Sequence, residues 1–199
     1  GNAYRLIPLS LDPPDHAPFR KLLDDNLNPK AIREIEDGIR DLTVSLIEGF
    51  GAKGHCNFTE EFAEQLPIRI FMQLVDLPME DLPTLKYLAD QFTRPDGSME
   101  LMEVKRRFSD YLVPIIDQRR GADRTDLLSR MVSGDVKGRP LTDQEAVDLC
   151  TQTLVGGLDT VVNFMGFVMM HLARTPAAQA ELRKDPGRIP RALAELLRR

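Results

Sequence analysis

Between Thr142 and Ala173 the sequence carries apolar residues at helical spacing with no proline to stop them. A helix over that stretch runs for about 31 residues, roughly 46 Å at ~1.5 Å per residue. Helices in globular proteins average ~10–14 residues, so this one has to cross the centre of the fold. Thr142-Asp-Gln-Glu145 opens it as a capping box, with a hydroxyl at the cap and a carboxylate three residues on. The middle of the stretch, Leu154-Val-Gly-Gly-Leu-Asp-Thr-Val-Val-Asn-Phe164, departs from the pattern. Gly156 and Gly157 each cost about 1 kcal/mol of helix stability relative to alanine. Asp159 and Thr160 stand where core residues are expected, and a buried carboxylate without a partner is costly. A threonine can turn its hydroxyl onto the carbonyl one turn back and bend a helix. Close helix packing explains two glycines alone. Glycines, acid and hydroxyl together describe a helix made to deform beside something small and polar.

The remaining chain is punctuated as helices. Asp12 is expected to cap a helix with Pro13 at its first position and Phe19, Leu22 and Leu23 inward, Pro18 lying in the first turns. Asn28 caps and Pro29 begins a second helix that Gly51 ends, with Ile32, Ile35, Ile39, Leu42, Leu46 and Phe50 as its apolar stripe. His55–Phe58 is short enough for a strand. A helix follows from Thr59, where Pro67 should kink or divide it. Pro78 and Pro83 bracket the start of another helix, and residues 93–98, TRPDGS, form a loop. A long helix ends at Gly121, a short one covers TDLLSRMV, and SGDVKGRPL is a turn with room for a hairpin. Two helices begin near Pro176 and Pro190. The fold class is therefore all-α, mainly α with minor β.

Composition narrows the partners. With 42% hydrophobic and 29% charged residues, 199 residues suffice for one sizeable core. The net charge is −5 and no basic run is interleaved with aromatics, so nucleic acid is not expected as a partner. Asp, Arg or Gln interrupt the apolar stretches before the ~20 residues of a membrane span, so no membrane is expected either. The first residues carry no charged segment followed by an apolar block. Cys56 and Cys150 give no disulfide framework, which favours reduced, cytoplasmic thiols. His16, His55 and His171 are far apart and form no ligand pair, so no metal is expected to be held by this chain's own residues.

Gly156–Thr160 resembles the oxygen-binding helix of cytochromes P450, with its Ala/Gly-Gly-x-Asp/Glu-Thr pattern. His16 and Arg20 in HAPFR resemble the family's His-x-x-x-Arg, and Glu195 and Arg198 in ELLR its Glu-x-x-Arg. The order and spacing of the three carry the resemblance, since each motif alone is common. AYRLIP, CNFTEEFAE, PIRIFM, LKYLADQFTRPDGSM and LVGGLDTVVNF are similar to the bacterial class I, camphor-hydroxylase-like subfamily. The implied fold is the P450 fold, from before the C helix through the long I helix to the K helix. Residues 1–199 would then be part of a single domain, with an N-terminal region and a C-terminal haem-cysteine region outside the chain. The family's Phe-x-x-Gly-x-x-x-Cys-x-Gly loop has no counterpart here, and neither Cys56 nor Cys150 has its flanking glycines. The thiolate ligand is thus expected beyond Arg199, and the chain by itself is expected to be inactive.

The resemblance implies a haem-thiolate monooxygenase containing haem b, with NAD(P)H acting only through redox partners. It implies that His16 and Arg20 grip the haem propionates and that Glu195 and Arg198 form a structural ion pair. Gly156 and Gly157 would leave the oxygen-binding groove, and Thr160 and Asp159 would supply protons for O–O cleavage. Arg94 or Lys86 would be the counter-charge of Asp159, and Asn163 would help order water. Tyr4, Leu6, Leu9, Thr93, Gln152 and Val155 would line the substrate pocket. Gln152 stands where the camphor-type pattern carries leucine, so the pocket differs from a camphor pocket. The implied substrate is a small terpenoid, a bicyclic monoterpenoid or a norisoprenoid. A [2Fe–2S] ferredoxin and its reductase would be the partners. Two alternatives stay open: a non-enzymatic helical domain that binds a small hydrophobic molecule, and a truncated relative that performs no chemistry.

Overall fold

The computed structural model describes residues 6–198. Helices α1 (His16–Asp24), α2 (Pro29–Glu34) and α3 (Glu36–Gly51) lead into a π-helical turn, Thr59–Ala63. Then come α4 (Gln65–Val75), a 3₁₀ turn (Met79–Asp81), α5 (Leu82–Thr93), α6 (Leu101–Arg119) and α7 (Leu127–Val132). A two-stranded hairpin, β1 (Asp135–Val136) and β2 (Arg139–Pro140), precedes α8 (Asp143–Leu158) and α9 (Thr160–Arg174). Helix α10 (Pro176–Lys184), a 3₁₀ turn and α11 (Ile189–Arg198) close the described chain. The all-α class with minor β therefore holds.

Helix α8 is the buried axis. Helices α4, α5, α6 and α7 all pack against it. Ala146, Leu149, Cys150, Leu154 and Leu158 are fully buried along its length. The capping box at its start is formed: Thr142 Oγ1 accepts from the Glu145 N–H, and Glu145 Oε2 accepts from the Thr142 N–H at 2.9 Å. On the α4 side the helices come very close. A Cβ built on Gly157 would lie 2.2 Å from the Phe71 ring, which no side chain tolerates. Gly157 is thus a packing glycine, required where α8 crosses α4.

Several expectations need correction. The long helix is divided in two, because backbone hydrogen bonding lapses at Asp159 (φ −132°, ψ −41°). Asp143–Arg174 nonetheless holds an 18-residue window of mean hydropathy 1.5 and is long and apolar enough to cross a membrane, against the reading that its polar residues interrupt it too soon. One such helix is weak evidence for a span, and the α8 half of it is a core helix. Asp12 is not a side-chain cap. Two consecutive prolines delay helix entry, and the Asp12 carbonyl instead accepts from the Asp15 and His16 N–H groups. Pro18 does fall in the first turn of α1. Asn28 caps as expected, but Ile35 breaks the helix between α2 and α3. The isoleucine and leucine stripe there is only half buried, with Ile32 exposed. His55–Asn57 is irregular and Phe58 leads into the π turn, so no strand forms. The division expected at Pro67 comes earlier, at Glu64, between the π turn and α4. The hairpin does form, because Lys137 and Gly138 both take positive φ at its two-residue turn.

One buried cation joins three elements. Arg119, 5% exposed at the end of α6, donates to the Val75 carbonyl at 2.8 Å and the Asp76 carbonyl at 2.7 Å. It also pairs with Asp126, whose carboxylate caps α7 through the Ser129 N–H at 3.0 Å. The charge is satisfied on every side, the condition under which burial is tolerated.

Two outcomes follow from these contacts. Gly157→Ala should lower unfolding free energy by about 1–3 kcal/mol through overpacking, with Phe71→Leu in the same chain restoring part of it. Gly156→Ala, whose Cβ meets only Gln152 at 4.0 Å, should change stability by less than ~1 kcal/mol. Urea titrations of the variants check both. The second outcome concerns Glu145, whose carboxyl is lowered from 4.5 to about 2, first by its hydrogen bonds from Arg139. A depressed carboxyl stabilises the fold fully above the unfolded value and loses that contribution as pH falls from about 4.5 towards 2. Glu145→Gln should therefore be less stable than wild type at pH 7, by a gap that narrows as the urea titration is repeated at lower pH.

Candidate functional site

The break between α8 and α9 builds the site. Asp159 ends one helix, and its carbonyl accepts from the Asn163 N–H at 3.1 Å to start the next. Past the break the chain is no longer enclosed, and among the residues of α9 only Val162 is buried. Asp159, Thr160, Asn163, Phe164, Phe167 and His171 line one side of a groove of about 640 Å³, with Leu196 and Leu197 of α11 across from them. These α9 positions recur at three- and four-residue steps from Thr160, so they share one helix face. Extending the Thr160 register along the sequence would have found Phe164, Phe167 and His171, which motif reading missed.

Asp159 is held from outside the groove. Arg94 Nη2 donates to Asp159 Oδ1 at 2.9 Å, the carboxylate side chain being 16% exposed and the guanidinium 56%. The same guanidinium donates to Asp90 at 3.1 Å, and Lys86 reaches Asp90 at 3.4 Å. Of the two candidate counter-charges, Arg94 therefore makes the contact, and Lys86 acts only through Asp90. The hydrogen bond to Asp90, then the charge of Asp159, raise Arg94 above its ordinary range. The loop carrying Arg94 is itself tied down. Tyr87 Oη and Ser98 Oγ lie 3.0 Å apart, and Asp96 accepts from the Ser98 N–H at 2.8 Å.

Thr160 is exposed, and its hydroxyl makes no hydrogen bond to another described residue. Nearby threonines behave otherwise: Thr153 donates to the Leu149 carbonyl at 2.8 Å and Thr93 to the Ala89 carbonyl at 3.0 Å. The helix break frees Thr160 from that habit. The two glycines differ in their surroundings. A Cβ on Gly156 would meet only Gln152 Nε2 at 4.0 Å, whereas Gly157 lies against Phe71, and neither lines the groove with Thr160.

The other expected residues are more dispersed. Tyr4 lies outside the described residues. Leu6 is buried and Leu9 exposed, Val155 belongs to the core, and none of them lines the groove with Thr160. Gln152 is half-buried, with its Nε2 4.0 Å from the Cβ position of Gly156. His16 and Arg20 lie one turn apart on α1, which packs on α7 and β1, and Arg20 pairs with Asp24 at 2.8 Å. Glu195 and Arg198 form a bidentate pair at 2.8 and 2.9 Å on α11, next to the leucines of the groove.

The residues present fit the open face of a haem. Phe167 and Leu197 remain 64% and 70% exposed, and large apolar side chains beside one hydroxyl and one paired carboxylate suit a flat apolar macrocycle. The iron's thiolate is not among these residues. Cys150 is wholly buried, and burial pushes its thiol up to about 12. Cys56 does not line the groove. Among the described residues no cluster of His, Cys, Asp and Glu is arranged to hold a metal ion.

Comparison with known proteins agrees with this geometry. The family model described as Cytochrome P450 matches residues 65–189, more than half of the chain. The crystal structure of CYP101J2 is 59% identical over 98% of this chain and 49% of its own, with a TM-score of 0.84. That of cytochrome P450 CYP101C1 is 41% identical with the same coverages and a TM-score of 0.78. Erythromycin C-12 hydroxylase of Saccharopolyspora erythraea is 31% identical over 94% of this chain and 49% of its own length. The chain spans about half the length of the curated relatives it matches. On the family match and the shared fold, this chain is a member of the cytochrome P450 family.

Proposed function

We propose that this chain forms the oxygen-side half of a haem-thiolate monooxygenase that hydroxylates a small hydrophobic substrate. The observation that carries the reading is the break at Asp159. It sets an unbonded Thr160 hydroxyl on the groove, beside a carboxylate tied to Arg94. Haem b, when bound, supplies the activation of dioxygen and the passage of electrons. His16 and Arg20 hold its propionates, one turn apart on α1. Gly156 leaves room at the helix backbone for dioxygen and substrate. Thr160 Oγ1 holds a proton at the groove, and the Asp159 carboxylate passes protons inward when it turns from Arg94. The aromatic wall of Phe164 and Phe167 excludes water. Asn163 orders the polar end of the groove, and the Glu195–Arg198 pair fixes α11.

The CYP101 names of two similar structures support the camphor-hydroxylase-like subfamily, and with it a terpenoid substrate and a [2Fe–2S] ferredoxin with its NADH-dependent reductase. The free thiols of Cys56 and Cys150 support a reducing, cytoplasmic setting. Tyr4, Thr93 and Gln152 are proposed to contact the substrate, whereas Leu6, Leu9 and Val155, which do not line the groove with Thr160, are left out of that proposal.

The test is Thr160→Ala in the full-length, haem-loaded protein with its redox partners. NADH oxidation should continue while product per NADH falls by roughly 10²-fold, the low end of what a positioned proton donor contributes. Hydrogen peroxide should account for the difference. Unchanged product per NADH would remove Thr160 from the proposed role.

A further inference from the structure

Gln91 lies in the last turn of α5 and is only 4% exposed, on the helix that also buries Leu85, Leu88 and Ala89. Its Oε1 is buried without a hydrogen-bond partner, which weakens a fold because the oxygen has surrendered its water and gained nothing in return. The other end of the amide explains why. The Gln91 side chain hydrogen-bonds the carboxylate of Asp96, in the loop that follows α5. An ionised carboxylate only accepts, so the amide must turn its N–H groups to Asp96 and leave its oxygen in the core. A methionine at position 91 would fill the core without an orphan, but it would release Asp96.

That tie closes a small network around Arg94. Asp96 also accepts from the Ser98 N–H at 2.8 Å, and Ser98 Oγ lies 3.0 Å from Tyr87 Oη. The loop is thus bound back onto α5 at Tyr87 and at Gln91. Arg94 stands between these anchors and the helix. Its backbone has left the helix (φ −141°, ψ 66°), and its N–H donates to the Asp90 carbonyl at 2.7 Å. Its guanidinium meets two acids: Asp90 at 3.1 Å, one turn back on α5, and Asp159 at 2.9 Å, 65 residues away in sequence. Asp90 is within reach of any arginine four residues on. Reaching Asp159 as well depends on where the loop sets the Arg94 backbone.

We propose that Gln91 is a positioning residue for proton delivery: by holding Asp96 it fixes the loop that brings Arg94 to Asp159. Gln91 does not line the groove with Thr160 and acts through Asp96 and Arg94. The orphaned oxygen is the consequence of aiming the amide N–H groups outward. The proposal rests on the monooxygenase reading for what Asp159 does, and not for what holds Arg94.

The experiment uses the full-length, haem-loaded protein with its redox partners and camphor as the probe. The variants are Gln91→Met, Asp96→Ala, Arg94→Ala and the double variant Gln91→Met/Arg94→Ala. Asp96 is exposed, so Asp96→Ala breaks the same tie without disturbing the core. Crystal structures of Gln91→Met and Asp96→Ala should show Arg94 on Asp90 alone, away from Asp159. In both, kcat for NADH-driven hydroxylation should fall about fivefold, well short of the ~10²-fold that losing a proton-transfer group costs, while the camphor dissociation constant changes by less than about twofold. The double variant should be no slower than Arg94→Ala, because Gln91 acts through Arg94. An Arg94–Asp159 contact retained in both single variants overturns the proposal, and so does a double variant whose losses multiply. A weakened camphor affinity that accounts for the whole loss also overturns it, since Gln91 would then shape the pocket and not the relay. If Arg94→Ala turns over camphor at the wild-type rate, the relay reading of Asp159 fails, while the crystal structures still decide whether Gln91 holds Arg94.

Discussion

Helix α8 can bury leucine, valine, cysteine and threonine on nearly every side because α4, α5, α6 and α7 surround it. That enclosure ends at Leu158. Thr160, the first residue of the next helix, is exposed, and α9 continues along an open groove. A helix leaving a core for a groove carries polar groups across the boundary, and Asp159 stands on it. Its carboxylate is mostly shielded, so it needs a countercharge, and Arg94 reaches it from the exposed end of α5. An ion pair with so exposed a guanidinium adds little stability, about 0–1 kcal/mol. Its consequence is geometric: it keeps a carboxylate at the rim, linked through Arg94 to Asp90 on α5.

Adjacent glycines in a helix point about 100° apart, and this structure uses that separation. Gly157 turns towards α4, where Phe71 leaves no room for a side chain. Gly156 turns away from that contact, where a side chain would meet only the Gln152 amide at 4.0 Å. The two glycines therefore differ in what they do for the fold: close helix packing, which the sequence offers as one explanation of the pair, accounts for Gly157 and not for Gly156.

What could be read in advance follows the range of the interactions involved. The capping box at Thr142, the Asn28–Pro29 helix start and the hairpin turn at Lys137–Gly138 depend on neighbours in the chain, and they were legible. The deformable point near Asp159 was legible too, because glycine, acid and hydroxyl conflict locally with an apolar helix. The Phe71 ring under Gly157, the three acceptors around Arg119 and the insertion of Asp90 between Lys86 and Arg94 were not. Each depends on which helices cross, a property no local pattern carries. The entry to α1 failed for a subtler reason: two prolines in a row satisfied a helix-start rule that only one of them could have met.

The groove's far wall shows how a weak interaction can still matter. Glu195 and Arg198 are well exposed on α11, and their bidentate pair contributes little to stability at a surface. Both its hydrogen bonds lie within one helical turn, so the pair orders the face of α11 that adjoins Leu196 and Leu197. Those leucines meet the aromatic row of α9 across the groove. A stronger ion pair would require burial and its desolvation cost. An exposed pair instead ties two side chains of one helical turn together without that cost, beside apolar side chains that stay exposed. The arrangement thus separates two tasks: the core around α8 supplies stability, and the polar contacts at the groove supply alignment.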